Sequence, residues 1–127
     1  MPTTSSVVAI VEDDAAMRRS IERLLRASGY ATVAFASAED FLASAAVDTA
    51  MALVLDIHLG GMSGIRLRRH LSASGSTTPV VFITAFDDEA TRAEAIATGC
   101  VDYLHKPFDS SRLTHALQRA STQRDGR

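Results

Sequence analysis

The stretch Met51-Ala52-Leu53-Val54-Leu55-Asp56 runs five apolar residues without interruption into a carboxylate, and a turn-rich segment, residues 58–64, follows. A short continuous apolar run predicts a strand that is buried on both faces of a parallel sheet. Open α/β folds place their ligands outside the carboxyl ends of such strands. Asp56 is therefore the first candidate for a functional residue.

Two further apolar runs, residues 7–11 and 80–83, and a further predicted strand at 101–104 are also followed by polar side chains. Because the carboxyl ends of parallel strands meet at one edge of a sheet, these side chains should converge with Asp56. They supply two acids, a hydroxyl and an amine: Glu12, Asp13, Thr84 and Lys106.

The size and charge of the chain bound what it can be. A chain of 127 residues is one domain and can bury roughly two-thirds of its unfolded surface. A net charge of −2 gives no overall attraction to nucleic acid, so we expect no direct nucleic-acid binding by this domain.

The sequence carries no signal for a membrane or for secretion. The longest apolar runs are far shorter than the roughly 20 residues that span a bilayer. Residues 1–6 are polar and predict a disordered tail rather than a signal peptide. Cys100 is the single cysteine, so no internal disulfide can form, and a buried, inert thiol is expected. A reducing cytoplasm fits these features.

Apolar runs alternate with amphipathic segments along the whole chain. A short second strand is predicted at 31–35, and helices are predicted at 15–28, 37–46, 65–74, 88–98 and 109–122. Short loops between alternating strands and helices predict an α/β fold, a single-domain, flavodoxin-like (βα)5 doubly wound parallel sheet with strand order 2-1-3-4-5. Its switch point lies between the first and third strands, which carry Glu12-Asp13 and Asp56.

Carboxylates that cluster at one edge repel each other unless a cation lies between them. Oxygen ligands without cysteine or a well-spaced histidine pair favour a hard cation, and Mg²⁺ fits best. The alternative is that Asp13 or Asp14 only caps the first helix, a role that we expect for Asp14. Ser37 is expected to cap the helix predicted to run to about Ala46.

Taken together, these residues resemble the receiver domain of bacterial two-component response regulators over residues from about Val7 to Ala120. The matching features are an acidic pair after the first strand, Asp ending the third, Thr ending the fourth and Lys-Pro-Phe after the fifth. The segments 37–42 and 101–103 are similar to receivers that often carry a helix-turn-helix output domain. On this resemblance, residues 7–121 form the receiver domain and 122–127 a tail or the start of a linker.

The resemblance implies a role for each site residue. Asp56 would be the phospho-acceptor, and Asp13 and Asp56 would give side-chain oxygens to Mg²⁺. The backbone carbonyl of His58 would be a third protein ligand, and Glu12 would act mainly through a coordinated water. Lys106, after a Lys106–Pro107 bond expected to be cis, would pair with the phosphoryl oxygens.

The resemblance also implies a switch. Thr84 would donate its hydroxyl to the phosphoryl group, and Tyr103 would rotate into the space that Thr84 vacates. Helix 88–98 is rich in alanine and poorly anchored, so the face formed by segments 88–98, 101–104 and 109–122 should meet the downstream partner and can form a phosphorylation-dependent homodimer.

The expected donor is a sensor histidine kinase or a histidine phosphotransfer protein. The domain would be no enzyme beyond autocatalytic phosphotransfer and self-dephosphorylation. Two alternatives remain: a phosphotransferase or phosphatase with an aspartyl-phosphate intermediate, and a degenerate receiver that acts unphosphorylated.

The chain departs from the family pattern at several positions. Glu12 replaces the usual Asp, and Leu59-Gly60 replaces the usual Met-Pro, which predicts a more mobile loop. His58 and Phe86 occupy positions that, in the family, affect how fast the phosphoryl group is lost. The sequence does not show whether these two residues speed or slow that loss. Arg18-Arg19 is either solvated charge or a kinase contact.

Overall fold

Five parallel strands form one sheet in the order β2-β1-β3-β4-β5 in a computed structural model that describes residues 7–126, with side chains through residue 122. The strands are β1 (Val7–Val11), β2 (Ala31–Phe35), β3 (Ala52–Asp56), β4 (Val80–Thr84) and β5 (Asp102–His105). The predicted flavodoxin-like order is confirmed.

The described residues form six helices rather than the five predicted: α1 (Ala15–Ala27), α2 (Ala38–Leu42), α3 (Ala46–Thr49), α4 (Gly64–Ala73), α5 (Glu89–Ala97) and α6 (Ser110–Gly126). The single helix predicted at 37–46 is wrong, because Ser44 interrupts it. Its hydroxyl donates to the Phe41 carbonyl at 2.7 Å and accepts the Ala46 N–H at 3.2 Å. Such side-chain bonds to the backbone compete with the helical pattern.

Two predicted helix starts are confirmed by their capping bonds. Asp14 accepts the N–H groups of Ala16 and Met17 at 2.9 and 3.1 Å at the start of α1. Ser37 accepts the Asp40 N–H at 3.0 Å at the start of α2. Each cap satisfies backbone donors that have no partner within the helix.

Helices cover both faces of the sheet. One core cluster packs α2, α3, α4 and α5 against the sheet, with Phe41, Leu67 and Ala95 among its buried residues. The other packs α1 and α6 against the opposite face through Leu25 and Leu117. Every residue of β3 and β4 is buried, which explains why these strands read as continuous apolar runs.

The register of the sheet places the strand ends side by side. Val11 pairs with Leu55, and Asp56 pairs with Ile83. The Glu12 N–H continues the ladder to the Phe35 carbonyl at 3.0 Å. β1 therefore has β2 on one side and β3 on the other, and the crevice of the switch point opens beside Glu12 and Asp56.

The two ends of the chain were predicted to be tails that flank the domain. Residues 1–6, predicted to be a disordered tail, lie outside the described residues. The last helix, predicted to end near residue 122, continues to Gly126, because residues 121–125 contain neither Gly nor Pro to stop it. The domain boundary at residue 121, with 122–127 as tail or linker, stays a prediction.

Within residues 7–126, none of the helices combines the length and the apolar character that crossing a membrane requires.

Cys100, expected to be buried, is only partly buried. Burial nevertheless raises the pKa of its thiol, as expected for an unreactive cysteine.

Candidate functional site

Three acids meet at the carboxyl ends of β1 and β3. One carboxylate oxygen from each of Glu12, Asp13 and Asp56 lies within 4.8 Å of the others. Glu12 and Asp56 are buried, whereas Asp13 is exposed. The convergence predicted for these residues is therefore present in the fold.

Glu12 is fully buried and both of its oxygens are engaged. Oε1 accepts a bond from Lys106 Nζ at 2.7 Å, and Oε2 accepts the Asp14 N–H at 3.0 Å. Burial raises the pKa of Glu12, against the opposing effect of these two donors. The buried carboxylate thus depends on Lys106 for its neutralisation.

Lys106 is the only lysine in the chain, and it links β5 to the acids of β1 and β3. Its Nζ also donates to Asp56 Oδ2 at 3.4 Å. Burial opposes the charged form, but the bond to Glu12 and the charge of Asp56 outweigh it and raise the pKa of Lys106. The Lys106–Pro107 peptide is cis, as predicted.

The donor set fits a hard divalent cation. Three carboxylates and one ammonium carry a combined charge of two minus when all are ionised, which a divalent cation balances. Asp13 is exposed. Asp56 accepts the bond from Lys106 through Oδ2, and its Oδ1 accepts the His58 N–H at 3.1 Å. Oxygen donors without thiolate or imidazole are the ligands that Mg²⁺ prefers.

The loop after Asp56 turns back tightly against its strand. The Gly64 N–H donates to the Ile57 carbonyl at 2.9 Å. A Cβ on Gly64 would lie 2.3 Å from the Asp56 carbonyl oxygen, so no other residue fits there without moving the backbone. Gly64 therefore sets how closely the loop and α4 approach the candidate acceptor.

Thr84 ends β4 beside this cluster and is fully buried. Its Oγ1 lies 3.0 Å from both the N–H and the carbonyl oxygen of Phe86. Among the described residues, no hydrogen bond joins Thr84 to Asp56. The hydroxyl is engaged with the loop that leads into α5, so any bond to a group on Asp56 would replace these contacts.

Tyr103 on β5 is part of a polar network that the sequence did not indicate. Its hydroxyl donates to Asp87 Oδ1 at 3.3 Å, and Arg92 on α5 pairs with Asp87 at 2.5 Å. The Arg92 guanidinium also lies over the tyrosine ring, 5.3 Å from its centroid. The network ties β5, the β4–α5 loop and α5 together. Asp87 lies in a loop, where no periodicity marks a partner.

Arg18 has a structural contact that the sequence missed. Its Nη1 donates to the Glu12 carbonyl at 2.8 Å, so this arginine braces the strand end that carries the acids. The interpretation of Arg18 as purely solvated charge is wrong. Within the described part of the chain, Arg19 makes no comparable contact and is exposed.

Two aromatic rings flank the crevice from different loops. His58 follows β3 and Phe86 follows β4, and their rings meet edge to face with centroids 5.1 Å apart. Phe86 is 64% exposed and is one of two large exposed apolar residues in the described chain. The pair joins the two loops that border Asp56.

Comparison with known proteins gives one consistent result. The family model for the response regulator receiver domain matches residues 8–118. Nodulation protein W of Bradyrhizobium diazoefficiens is 40% identical over 123 residues, covering 97% of this chain and 54% of that protein. The transcriptional regulatory protein FixJ of the same organism is 34% identical over 121 residues, covering 95% of this chain and 59% of FixJ. The chain thus spans little more than half the length of these relatives.

The fold agrees with a solved structure as well. The crystal structure of FixJ-N superposes with a TM-score of 0.84 at 33% identity and covers 94% of this chain and 95% of that one. Receiver domains are signalling switches, and they bind Mg²⁺ at an acidic cluster of the kind that Glu12, Asp13 and Asp56 form. The chain belongs to the response regulator receiver domain family.

Proposed function

We propose that Asp56 accepts a phosphoryl group from the phosphohistidine of a sensor histidine kinase or a histidine phosphotransfer protein, in a reaction that depends on Mg²⁺. The observation that carries the proposal is the contact of Lys106 with both Glu12 and Asp56, in a cluster that also includes Asp13. An acceptor carboxylate, an acidic cation site and a fixed positive charge are what phosphoryl transfer to a carboxylate requires.

The ligand assignments are those that the resemblance to receiver domains implies. Both Asp56 oxygens already accept bonds, but the bond from Lys106 is longer at Asp56, 3.4 Å, than at Glu12, 2.7 Å. Asp13 and Asp56 would supply side-chain oxygens to the cation, and His58 would supply its backbone carbonyl. Both oxygens of Glu12 already accept bonds from Lys106 and from backbone, which favours a role for Glu12 through a coordinated water. When bound, the cation would supply positive charge to the equatorial phosphoryl oxygens.

In the transfer step, an oxygen of Asp56 attacks phosphorus in line as the bond from phosphorus to the donor's imidazole nitrogen breaks. The electron pair of that bond stays on the imidazole, and Asp56 becomes an acyl phosphate. Lys106 stabilises the charge on the phosphoryl oxygens. Ala85, a small residue after Thr84, leaves the line of attack open. Water can later cleave the acyl phosphate and restore the carboxylate.

The relay begins at Thr84. Its hydroxyl would exchange the contacts to Phe86 for a bond to the new phosphoryl oxygens, and this exchange would draw the β4–α5 loop toward Asp56. Tyr103 is tied to the same loop through Asp87, so movement of the loop would release or redirect the ring.

The face formed by α5, β5 and α6 would carry the signal outward. Ala95 is the one residue of α5 that is buried, so this helix is weakly anchored to the core. Ile96 is 58% exposed on the same helix and offers apolar surface to a partner. We infer that this face meets the downstream target or a second copy of the chain after phosphorylation. We also infer that the phosphoryl transfer takes place in the cytoplasm.

The proposal is tested with beryllofluoride, which mimics a phosphoryl group on a carboxylate. In the wild-type protein, the amide signals of Thr84 and Tyr103 should shift only when beryllofluoride and Mg²⁺ are both present, whereas Mg²⁺ alone should shift only signals close to the cation site around Asp56. Asp56→Asn should abolish the response. A response that persists in Asp56→Asn would refute Asp56 as the acceptor, and no response in the wild type would favour a domain that acts unphosphorylated.

A further inference from the structure

A carboxylate outside the acid cluster holds the loop that follows Asp56. Glu39, in the first turn of α2, accepts the Met62 N–H at 2.9 Å through Oε2, although the two residues are 23 positions apart. Because Met62 lies in the β3–α4 loop, the bond joins that loop to a helix on one face of the sheet.

Gly61 is the residue that makes this contact possible. A Cβ on Gly61 would lie 2.5 Å from Glu39 Oε2 and 3.0 Å from Oε1, so the carboxylate occupies the space that a side chain would need. At Gly60, by contrast, a Cβ would meet nothing within 4 Å. The two neighbouring glycines therefore differ in their surroundings, and only Gly61 is in contact with Glu39.

The charge of Glu39 suits this role. The Met62 N–H, followed by the residue's own N–H and the charge of Arg66, lowers the pKa of Glu39. A carboxylate is a stronger acceptor for a backbone N–H than a neutral group is. Glu39 is therefore ionised when it holds the loop.

The middle of the loop is held by this bond together with the packing of Leu59 and Met62 against the core. The ends of the loop are attached next to Asp56, by the His58 N–H on Asp56 Oδ1 at 3.1 Å and by the Gly64 N–H on the Ile57 carbonyl at 2.9 Å. Between them lies Gly60-Gly61, the dipeptide with the greatest conformational freedom. The Met62–Glu39 bond is the tether between the two anchored ends.

We propose that Glu39 is a positioning residue for the phospho-acceptor site, which fixes the β3–α4 loop and thereby the His58 carbonyl. Its effect on cation binding rests on the function proposed above. The loop tether itself rests only on the contacts of Glu39 with Met62 and Gly61. Two separate readouts therefore test the two parts.

The first readout is hydrogen exchange of the Met62 amide, followed by NMR. Glu39→Ala should speed this exchange about fivefold, the factor expected when one hydrogen bond is lost. Glu39→Gln keeps an acceptor oxygen and should restore most of the protection. Asp40→Ala is the matched control, because it removes an equal charge from the same helical turn. Among the described residues, the Asp40 side chain makes no hydrogen bond to the loop.

The second readout is the Mg²⁺ dissociation constant, followed by the same amide signals. Glu39→Ala should weaken binding about threefold to tenfold, and Asp40→Ala should weaken it much less. Gly61→Ala should weaken binding in the wild-type background by displacing the carboxylate. In the Glu39→Ala background it should have no cost or should improve binding, because alanine restricts the loop. Gly60→Ala should show no such reversal.

The outcomes judge the loop tether and the positioning role of Glu39 separately. Unchanged Met62 exchange in Glu39→Ala would overturn the tether. Faster exchange with unchanged Mg²⁺ affinity, or an equal loss of affinity in Asp40→Ala, would overturn the positioning role. If the wild-type protein does not bind Mg²⁺ at Asp56, the proposed function fails, while the exchange measurement still judges the tether.

Discussion

Lys106 Nζ lies closer to Glu12 than to Asp56, at 2.7 Å from Glu12 Oε1 and 3.4 Å from Asp56 Oδ2. The side chains of both acids are almost completely buried, and that of Lys106 is 13% exposed. The ammonium therefore neutralises the buried glutamate first and remains within reach of the acceptor. A phosphoryl group on Asp56 would bring new negative oxygens to the side on which Lys106 now makes its weaker contact.

Replacing Lys106 with Met should destabilise the protein by about 3 kcal/mol in the absence of Mg²⁺, because it leaves the buried Glu12 charge without its partner. Mg²⁺ should recover part of this loss and should bind more tightly than to the wild type, since a competing cation is gone. Urea unfolding with and without Mg²⁺ measures both effects.

The matched control is Arg119→Met. It also removes one positive charge from an ion pair, with Asp102, but the arginine side chain is 57% exposed. Its effect should stay within about 0.5 kcal/mol. Equal effects of the two substitutions would contradict the assigned role of Lys106.

Thr84→Ala should leave Asp56 able to accept a phosphoryl group from acetyl phosphate, while the Tyr103 ring signals no longer respond to beryllofluoride with Mg²⁺. The reason is that the hydroxyl now bound to the Phe86 backbone is the group proposed to move. Intact mass follows the first effect and NMR the second. Thr84→Ser keeps the hydroxyl and should respond like the wild type. Full coupling in Thr84→Ala would remove Thr84 from the relay.

Arg92→Gln should raise the pKa of Asp87 toward its ordinary value of 3.8, because the hydrogen bond from Arg92 is the main cause that lowers it. A lowered carboxyl pKa in the folded state contributes stability above pH 3.8 that is lost as the pH falls through the folded-state value. In Arg92→Gln, this part of the decrease in folding stability on acidification should therefore be absent. Carboxyl NMR titration of Asp87 checks the shift, and an unchanged titration would mean that the Arg92 pair is not formed in solution.

Phe86→Ala should shorten the lifetime of the acyl phosphate by about two- to tenfold, the factor that corresponds to an aromatic pair worth roughly 0.5–1.5 kcal/mol. The edge-to-face contact with His58 joins the two loops beside Asp56, and its loss should give water easier access to the acyl phosphate. The decay of phosphorylated protein, followed by mass, gives the rate. A longer lifetime in Phe86→Ala would show that the ring promotes hydrolysis.

The strands and the position of the site could be predicted from the sequence, because buried parallel strands leave continuous apolar runs and their ends must share an edge. Asp56, Glu12 and Thr84 lie at the same edge of the sheet for that reason alone. The caps at Asp14 and Ser37 were predictable as well, since a local side chain satisfies each helix start.

Contacts between distant loops and helices could not be predicted. The bond from Met62 to Glu39, the network of Asp87 and Arg92 around Tyr103, and the bond from Arg18 to the Glu12 carbonyl all depend on how helices pack on the finished sheet. The interruption at Ser44 was missed because a serine hydroxyl can either face solvent or bond to the backbone, and helical spacing does not distinguish the two.

The central claim is that Asp56 is the residue that becomes phosphorylated when Mg²⁺ is present. After incubation with acetyl phosphate, borohydride reduction converts an aspartyl phosphate to homoserine, which peptide mass spectrometry can locate. We predict homoserine at position 56, dependent on Mg²⁺ and lost in Asp13→Asn. Homoserine at another acid such as Asp13, or at position 56 without any need for a divalent cation, would contradict the account.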